Sequence, residues 1–244
     1  MQIKLNKIGK RYNYEWIFRD INYEFTSDNN YVILGANGSG KSTLLQVIAG
    51  NLIPSEGSIE YKAPLPPKGG NSLTQAKQGD ASEVASPFRG QGGIIPDDEI
   101  FNHLSFASPY LELFDEFTLI ESIEFQAQFK PFLNNLTTKQ ILECTQLEKE
   151  CNKQLKYYSS GMKQRVRLAL AILCDTPLLL LDEPASNLDK KSIDWYQNLI
   201  NEYSNNRLII VCSNQQEYEY PFCNKELLIE DYKQKTETIN FKTI

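Results

Sequence analysis

The run Gly35-Ala36-Asn37-Gly38-Ser39-Gly40-Lys41-Ser42-Thr43 constrains this chain more than any other stretch. It fits G-x-x-x-x-G-K-[ST], follows the β-rich Tyr31-Val32-Ile33-Leu34 and precedes the apolar helical run Leu44-Leu45-Gln46-Val47-Ile48-Ala49. That is the strand–loop–helix setting of a phosphate-binding loop. The residue types follow from sterics and charge. A polyphosphate has to be wrapped by backbone N–H groups at close range, and glycine lets the chain curl that tightly, so Gly35, Gly38 and Gly40 stand where the curve needs them. The helix that starts here aims its N-terminus at the anion. Lys41 suits the β- and γ-phosphates, the Ser42 hydroxyl suits Mg²⁺, and Thr43 suits nearby phosphate oxygens.

A second constraint lies far downstream. Residues 177–181 form a continuous apolar run, as suits a strand buried on both faces of a parallel sheet. It ends in Asp182-Glu183-Pro184, at the C-terminal edge where such sheets bind ligands. Asp182 is placed to hold Mg²⁺ through its water shell, and Glu183 to orient and deprotonate an attacking water. Ser186-Asn187-Leu188-Asp189 follows, with Asp189 as the cap of a helix through Trp195 and Leu199. A last central strand over 208–212 ends in Ser213-Asn214-Gln215, and a strand candidate at 227–229 precedes a polar tail.

The rest of the chain frames these two stretches. Residues 2–34 read as antiparallel strands leading into the loop, with Ile21, Tyr23 and Phe25 alternating with polar residues. Tyr12 and Trp16 each offer a flat face to a purine base; Tyr12 suits packing on the sheet equally well, and Trp16 suits it better. Gly50 reads as the C-terminal stop of the first helix, and 58–61 as a strand. From 63 to 93 the composition turns small and polar, and two proline-led runs there, each closing on a basic residue and paired glycines, resemble each other. The stretch reads as an inserted flexible loop grown from a short repeat, with a partner-binding loop as the rival reading.

A strand pattern resumes near Ile100 and runs through Ala107, and the single histidine, His103, reads as structural. Thr118 with Glu121, and Thr137 with Gln140, fit capping boxes, so 110–157 reads as a mainly helical subdomain. Tyr157-Tyr158-Ser159-Ser160-Gly161 then opens an apolar helix, a second terminus suited to an anion.

Bulk properties narrow the function classes. A length of 244 residues is compatible with one α/β domain over 1–244. A net charge of −6 argues against a general nucleic-acid binder, because phosphate-backbone affinity needs clustered Lys and Arg. No run of about 18 apolar residues suits a membrane span, and the N-terminal stretch lacks a signal-peptide apolar region. Five cysteines without C-x-x-C spacing read as reduced thiols.

Taken in order, the phosphate loop, helical insert, Ser-x-Gly before a helix, Asp-Glu-Pro after an apolar strand, and Ser-Asn-Leu-Asp directly after it resemble the nucleotide-binding subunit of an ATP-binding cassette (ABC) transporter. The resemblance spans almost the whole chain outside 63–93. It implies a phosphate-loop NTPase core with a mainly parallel sheet, an N-terminal antiparallel β subdomain and an inserted α-helical subdomain. It further implies a head-to-tail dimer sandwiching two ATP molecules. Tyr12 would stack on the base, Asn37, Gly38, Ser39, Gly40, Lys41, Ser42 and Thr43 would wrap the phosphates, and Ser42 with Asp182 would serve Mg²⁺. Ser159 and Gly161 would contact the γ-phosphate held by the opposite subunit, Glu183 would be the hydrolytic base and Asp189 would cross the interface. The region around 109–129 would meet a transmembrane permease subunit at the inner face of the cell membrane.

Three positions depart from that family's pattern. The signature reads Tyr158-Ser159-Ser160-Gly161-Met162, where Leu-Ser-Gly-Gly-Gln is usual. Ser108-Pro109 stands where a Mg²⁺-binding glutamine is expected, and Asn214 stands in place of the switch histidine. Asn214 can still hydrogen-bond a γ-phosphate but carries no charge there. The expectation is therefore a slow ATPase, with a regulatory cassette of little hydrolysis as the alternative. Neither a tandem pair of cassettes nor a long coiled coil marks the chain as a ribosome- or DNA-acting relative.

Overall fold

The computed structural model describes residues 1–64 and 93–233. Two sheets organise them. β1 (Gln2–Tyr12), β2 (Glu15–Thr26), β4 (Glu56–Lys62) and β5 (Ile94–Ile95) form an antiparallel sheet in the order β2-β1-β4-β5. β3 (Asn30–Leu34), β6 (Leu104–Ala107), β7 (Leu178–Asp182), β8 (Leu208–Ser213) and β9 (Lys225–Leu228) form a parallel sheet in the order β6-β7-β8-β3-β9.

Two expectations change here. The 2–34 stretch is not antiparallel throughout: β3 leaves the first sheet and pairs parallel with β8 and β9. The physical reason is burial: β3 is nearly all buried while β1 and β2 alternate, and a strand covered on both faces belongs inside a parallel sheet. The strand expected from Ile100 begins only at Leu104; Ile100–His103 is a 3-10 turn, so His103 lies on that turn.

Alternation along the parallel strands divides the core in two. Ile33, Leu178, Leu180, Leu208, Ile210 and Cys212 face one side, where they meet the antiparallel sheet and helix α1 (Lys41–Ile48). Val32, Leu34, Leu179, Leu181, Ile209 and Val211 face the other, where helices α4 (Ser160–Leu173) and α5 (Lys190–Tyr203) pack. All five β7 residues are buried, as expected of a strand covered twice. The helical subdomain holds α2 (Leu119–Phe129) and α3 (Thr138–Thr145), each opened by a full capping box, Thr118 with Glu121 and Thr137 with Gln140. Each such cap is worth about 1 kcal/mol.

The expected flexible insertion at 63–93, and its repeat, fall mostly on residues 65–92, outside the described residues. The frame around it is described. β4 and β5 pair Tyr61 with Ile95 and Lys62 with Ile94, and Ala63 N donates to Gly93 O at 3.0 Å. The two ends therefore meet at a hairpin position. Closing a shorter loop there costs less chain entropy, about 0.6 kcal/mol per halving of length. Replacing 65–92 by a short turn is expected to leave Tm within about 4 °C and nucleotide affinity within about threefold, read by thermal melts and titration. A collapse of either would assign the segment a role in the fold or the site.

Candidate functional site

Strand pairing builds the site's edge. Leu34 pairs with Ser213, Asp182 with Cys212 and Ala107 with Leu181. Gly35, Asn214, Glu183 and Ser108 thus all leave the parallel sheet along one side, although they come from segments far apart in the chain.

The loop needs glycine at Gly40, whose φ of +106° L side chains rarely adopt and where a Cβ would lie 2.4 Å from Ile17 Cγ2. Gly35 serves a different end, close packing: a Cβ there would come within 2.5 Å of both Ser39 Oγ and Ile229 Cγ2. Just past it, Ala36 N donates to Glu230 Oε1 at 2.7 Å, so the turn after β9 anchors the start of the loop. Lys41 is buried and donates its ammonium to Ala36 O at 3.0 Å, folding back over the loop. Ser39 is 1% exposed, and its Oγ has no hydrogen-bond partner among the described residues. A buried hydroxyl left so costs about 1–3 kcal/mol, and a phosphate oxygen would satisfy it.

Asp182 joins three elements. Ser42 Oγ at the start of α1 donates to its Oδ1 at 2.9 Å, and Ser108 Oγ, just after β6, donates to its Oδ2 at 3.3 Å. Burial pushes the Asp182 carboxyl up; the Ser42 bond pulls it back, Glu183 pushes it further, and Ser108 and Lys41 oppose. A carboxylate and a hydroxyl converging beside a phosphate loop are the hard oxygen donors that Mg²⁺ takes, and the cation would offset the desolvation that raises Asp182. The residues present fit that ion.

Glu183 sits in a strained turn. Its φ is +41°, in the left-handed region, at a cost of order 1–3 kcal/mol for a residue with a side chain. Its N–H donates to Cys212 O at 2.9 Å, and its carbonyl accepts from Ser186 N at 3.0 Å. Asn214 Nδ2 donates to Asn37 Oδ1 at 3.2 Å, which brings the end of β8 to the loop.

Tyr12 closes β1, 49% exposed, with Lys10 Nζ 5.4 Å from its ring centroid. Its strand pairs with β2, whose Ile17 lies against Gly40. Trp16 is engaged otherwise: Arg19 and Arg11 lie 4.5 and 5.5 Å from its ring, and Arg19 pairs with Glu56 at 2.6 Å.

Ser159 caps α4, its Oγ accepting from Met162 N at 3.2 Å. A Cβ on Gly161 would come within 2.9 Å of Asn187 O, so the start of α4 packs on the 186–189 turn. Tyr158, where leucine is usual, is buried, and its hydroxyl donates to Glu150 O at 2.8 Å. Asp189 caps α5, accepting from Ser192 N at 2.8 Å, and hydrogen bonding from the Ser192 side chain, then from its N–H, holds the Asp189 carboxyl below the usual range. Among the described residues no hydrogen bond joins Ser159 or Gly161 to the phosphate loop. One chain therefore assembles residues 35–43 with Asp182, Glu183 and Asn214, and leaves the signature outside that cluster.

Three residues at the site, Ser108, Glu219 and Glu230, belong to no motif in the sequence. Ser108 had a signal, a polar residue at the end of a buried strand. Glu230 and the buried Glu219 had none, because each lies in a polar run without periodicity and reaches the site only through the fold.

The ABC transporter family model matches residues 18–186. The energy-coupling factor transporter ATP-binding protein EcfA1 of Thermotoga maritima is 31% identical over 221 residues, covering 89% of this chain and 74% of its own length. The sulfate/thiosulfate import ATP-binding protein CysA of Mesostigma viride is 27% identical over 226 residues, covering 90% and 57%. Among solved structures, an ATP-binding subunit of an ABC transporter superposes with TM-score 0.69 at 19% identity, over 93% of this chain and 85% of that one. The dimeric bacterial ABC transporter cassette MJ0796 superposes with TM-score 0.68 at 22% identity, over 93% and 94%. At these identities the superpositions speak for the fold.

Proposed function

Because the chain belongs to the ABC transporter family, we propose that it is the ATP-binding and ATP-hydrolysing subunit of a transporter, dimerising on ATP to drive a separate transmembrane subunit. The observation that carries this reading is the 2.9 Å bond from Ser42 to Asp182, which couples the phosphate loop to the strand that presents Glu183.

In the proposed cycle the backbone N–H groups of the loop and the Ser39 hydroxyl bind the phosphates. Lys41 exchanges its bond to Ala36 O for the β- and γ-phosphate oxygens, and Thr43 binds beside it. Ser42 and Asp182 would hold Mg²⁺, which would neutralise charge developing on the phosphate oxygens. Glu183 accepts a proton from the attacking water, and a general base of this kind contributes about 10²–10⁴ in rate. Asn214 turns its amide N–H from Asn37 to the γ-phosphate as a neutral donor. Tyr12 stacks on the base. Ser159 and Gly161 of a second copy or a related cassette complete the γ-phosphate site, with Asp189 at the interface, so ATP favours the closed pair in which both surfaces touch it.

Among the described residues no helix is long and apolar enough to cross a membrane, and the proposal gives that work to the partner. The surface around 109–129 suits it: Phe114 and Phe129 are well exposed and stack in a cluster with Phe117 and Phe125. This contact would hold the subunit at the inner face of the cell membrane, and no nucleic acid takes part.

Purified protein is expected to turn over ATP only with Mg²⁺, and tagged protein to bring down a polytopic membrane protein from detergent-solubilised membranes. Tight ATP binding with no turnover above background would replace the ATPase reading by the regulatory cassette. Absence of any polytopic partner would remove the transport reading.

A further inference from the structure

One buried acid takes no part in the cycle as drawn. Glu219 lies in the turn after β8, 3% exposed. Its carboxylate spans two segments of the site: Oε1 accepts from Ala185 N at 3.2 Å, and Oε2 accepts from Ser213 Oγ at 2.5 Å. Ala185 comes two residues after Glu183, and Ser213 immediately precedes Asn214. The acid is itself fixed. Its carbonyl accepts from the buried Tyr196 hydroxyl of α5 at 2.9 Å, and Gln216 N donates to Ser213 Oγ at 3.1 Å.

We propose that Glu219 is a positioning residue for ATP hydrolysis, tying the backbone that carries Glu183 to the strand end that carries Asn214, so that the proton acceptor and the γ-phosphate donor are held as one unit. The proposal rests on the hydrolytic reading above.

The strain at Glu183 is the physical case. A residue with a side chain stays in the left-handed region only when its surroundings over-determine it. Four bonds do so here: Cys212 O on Glu183 N, Ser186 N on Glu183 O, Gln164 Nε2 of α4 on Pro184 O at 3.0 Å, and Glu219 on Ala185 N. Of these, Glu219 alone reaches through a side chain to the residue beside Asn214. Without its carboxylate, the Ala185 N–H and the Ser213 hydroxyl both lose their acceptor inside the protein, and the turn is free to relax. A displacement of about 1 Å at a reacting group costs on the order of 10²-fold in rate.

The surroundings agree with a group held for a purpose. Asp182 and Glu183 face it from the end of β7, Cys212 from β8, Tyr196 from α5, and Tyr220 from its own turn. Burial pushes the Glu219 carboxyl up to about 7; the bonds from Ser213 and Ala185 pull it back, and Glu183 and Asp182 push it further. An acid kept there against that cost does something that an apolar residue would not.

The test compares Glu219→Ala and Glu219→Gln with the parent. Glu219→Ala is expected to lower kcat by about tenfold or more, with affinity for a non-hydrolysable ATP analogue kept within about threefold. Glu219→Gln, which keeps an oxygen for the Ala185 N–H, is expected to recover most of kcat. Turnover of the alanine variant at the parent rate, or loss of kcat and affinity in equal proportion, would overturn the proposal. A parent without turnover would remove the ATPase reading instead, and hydrogen exchange of nucleotide-free protein then decides the clamp. Exchange at the Ala185 N–H about tenfold faster in Glu219→Ala supports it, and unchanged exchange overturns it.

Discussion

Glu183→Gln is expected to lower ATP turnover by about 10²–10⁴, the range that a positioned general base contributes, while ATP affinity changes little. The two side chains match in size, and the bonds that hold this turn, Glu183 N to Cys212 O and Ser186 N to Glu183 O, are backbone bonds that the substitution leaves in place. The left-handed φ of +41° is as costly for glutamine as for glutamate, so stability is little altered. What is lost is the carboxylate that takes the proton. A single-turnover assay beside nucleotide titration separates these effects, and an ATP-bound dimer should accumulate in the variant. Hydrolysis at the parent rate would show that another group is the base.

Lys41→Ala carries the second large effect, on binding. The Lys41 ammonium is buried within the loop, and among the described residues its hydrogen-bond acceptor is Ala36 O, a neutral group, at 3.0 Å. Exchanging that partner for phosphate oxygens forms hydrogen bonds between charged groups. Such bonds are worth about 1.5–3 kcal/mol, or about 10- to 150-fold in affinity. Alanine is a good residue for the first turn of α1, so the fold should persist, and thermal melts check that it does. A fluorescent ATP analogue reads the loss. Affinity kept within about threefold would place the phosphates elsewhere than in this loop.

The elements most visible in the sequence were those with a local physical signature. The phosphate loop announced itself by its glycines and its strand–loop–helix setting. The two capping boxes did so by paired side chains three residues apart, and β7 by an apolar run too continuous for a half-exposed strand. Expectations changed where the cause was not local. Nothing in 30–34 says whether its neighbours run parallel or antiparallel, and β3 pairs with strands more than 170 residues away in sequence. The 3-10 turn at Ile100–His103 took the place of a strand because apolar residues in so short a run fit either state.

The residue types of the site were fixed in the chain itself: a loop able to wrap phosphate, two carboxylates after a buried strand, an asparagine after another. Short-range sterics and charge are enough to read those. Their convergence belongs to the tertiary structure alone, because parallel pairing aligns the ends of β3, β7 and β8 and so sets Ser42 on Asp182 and Asn214 on Asn37. The same long-range pairing buries Glu219 between Ser213 and Ala185 and holds Glu183 in its strained turn. Hydrogen bonds reach only about 3 Å, so which groups share one is decided by where the sheet delivers them.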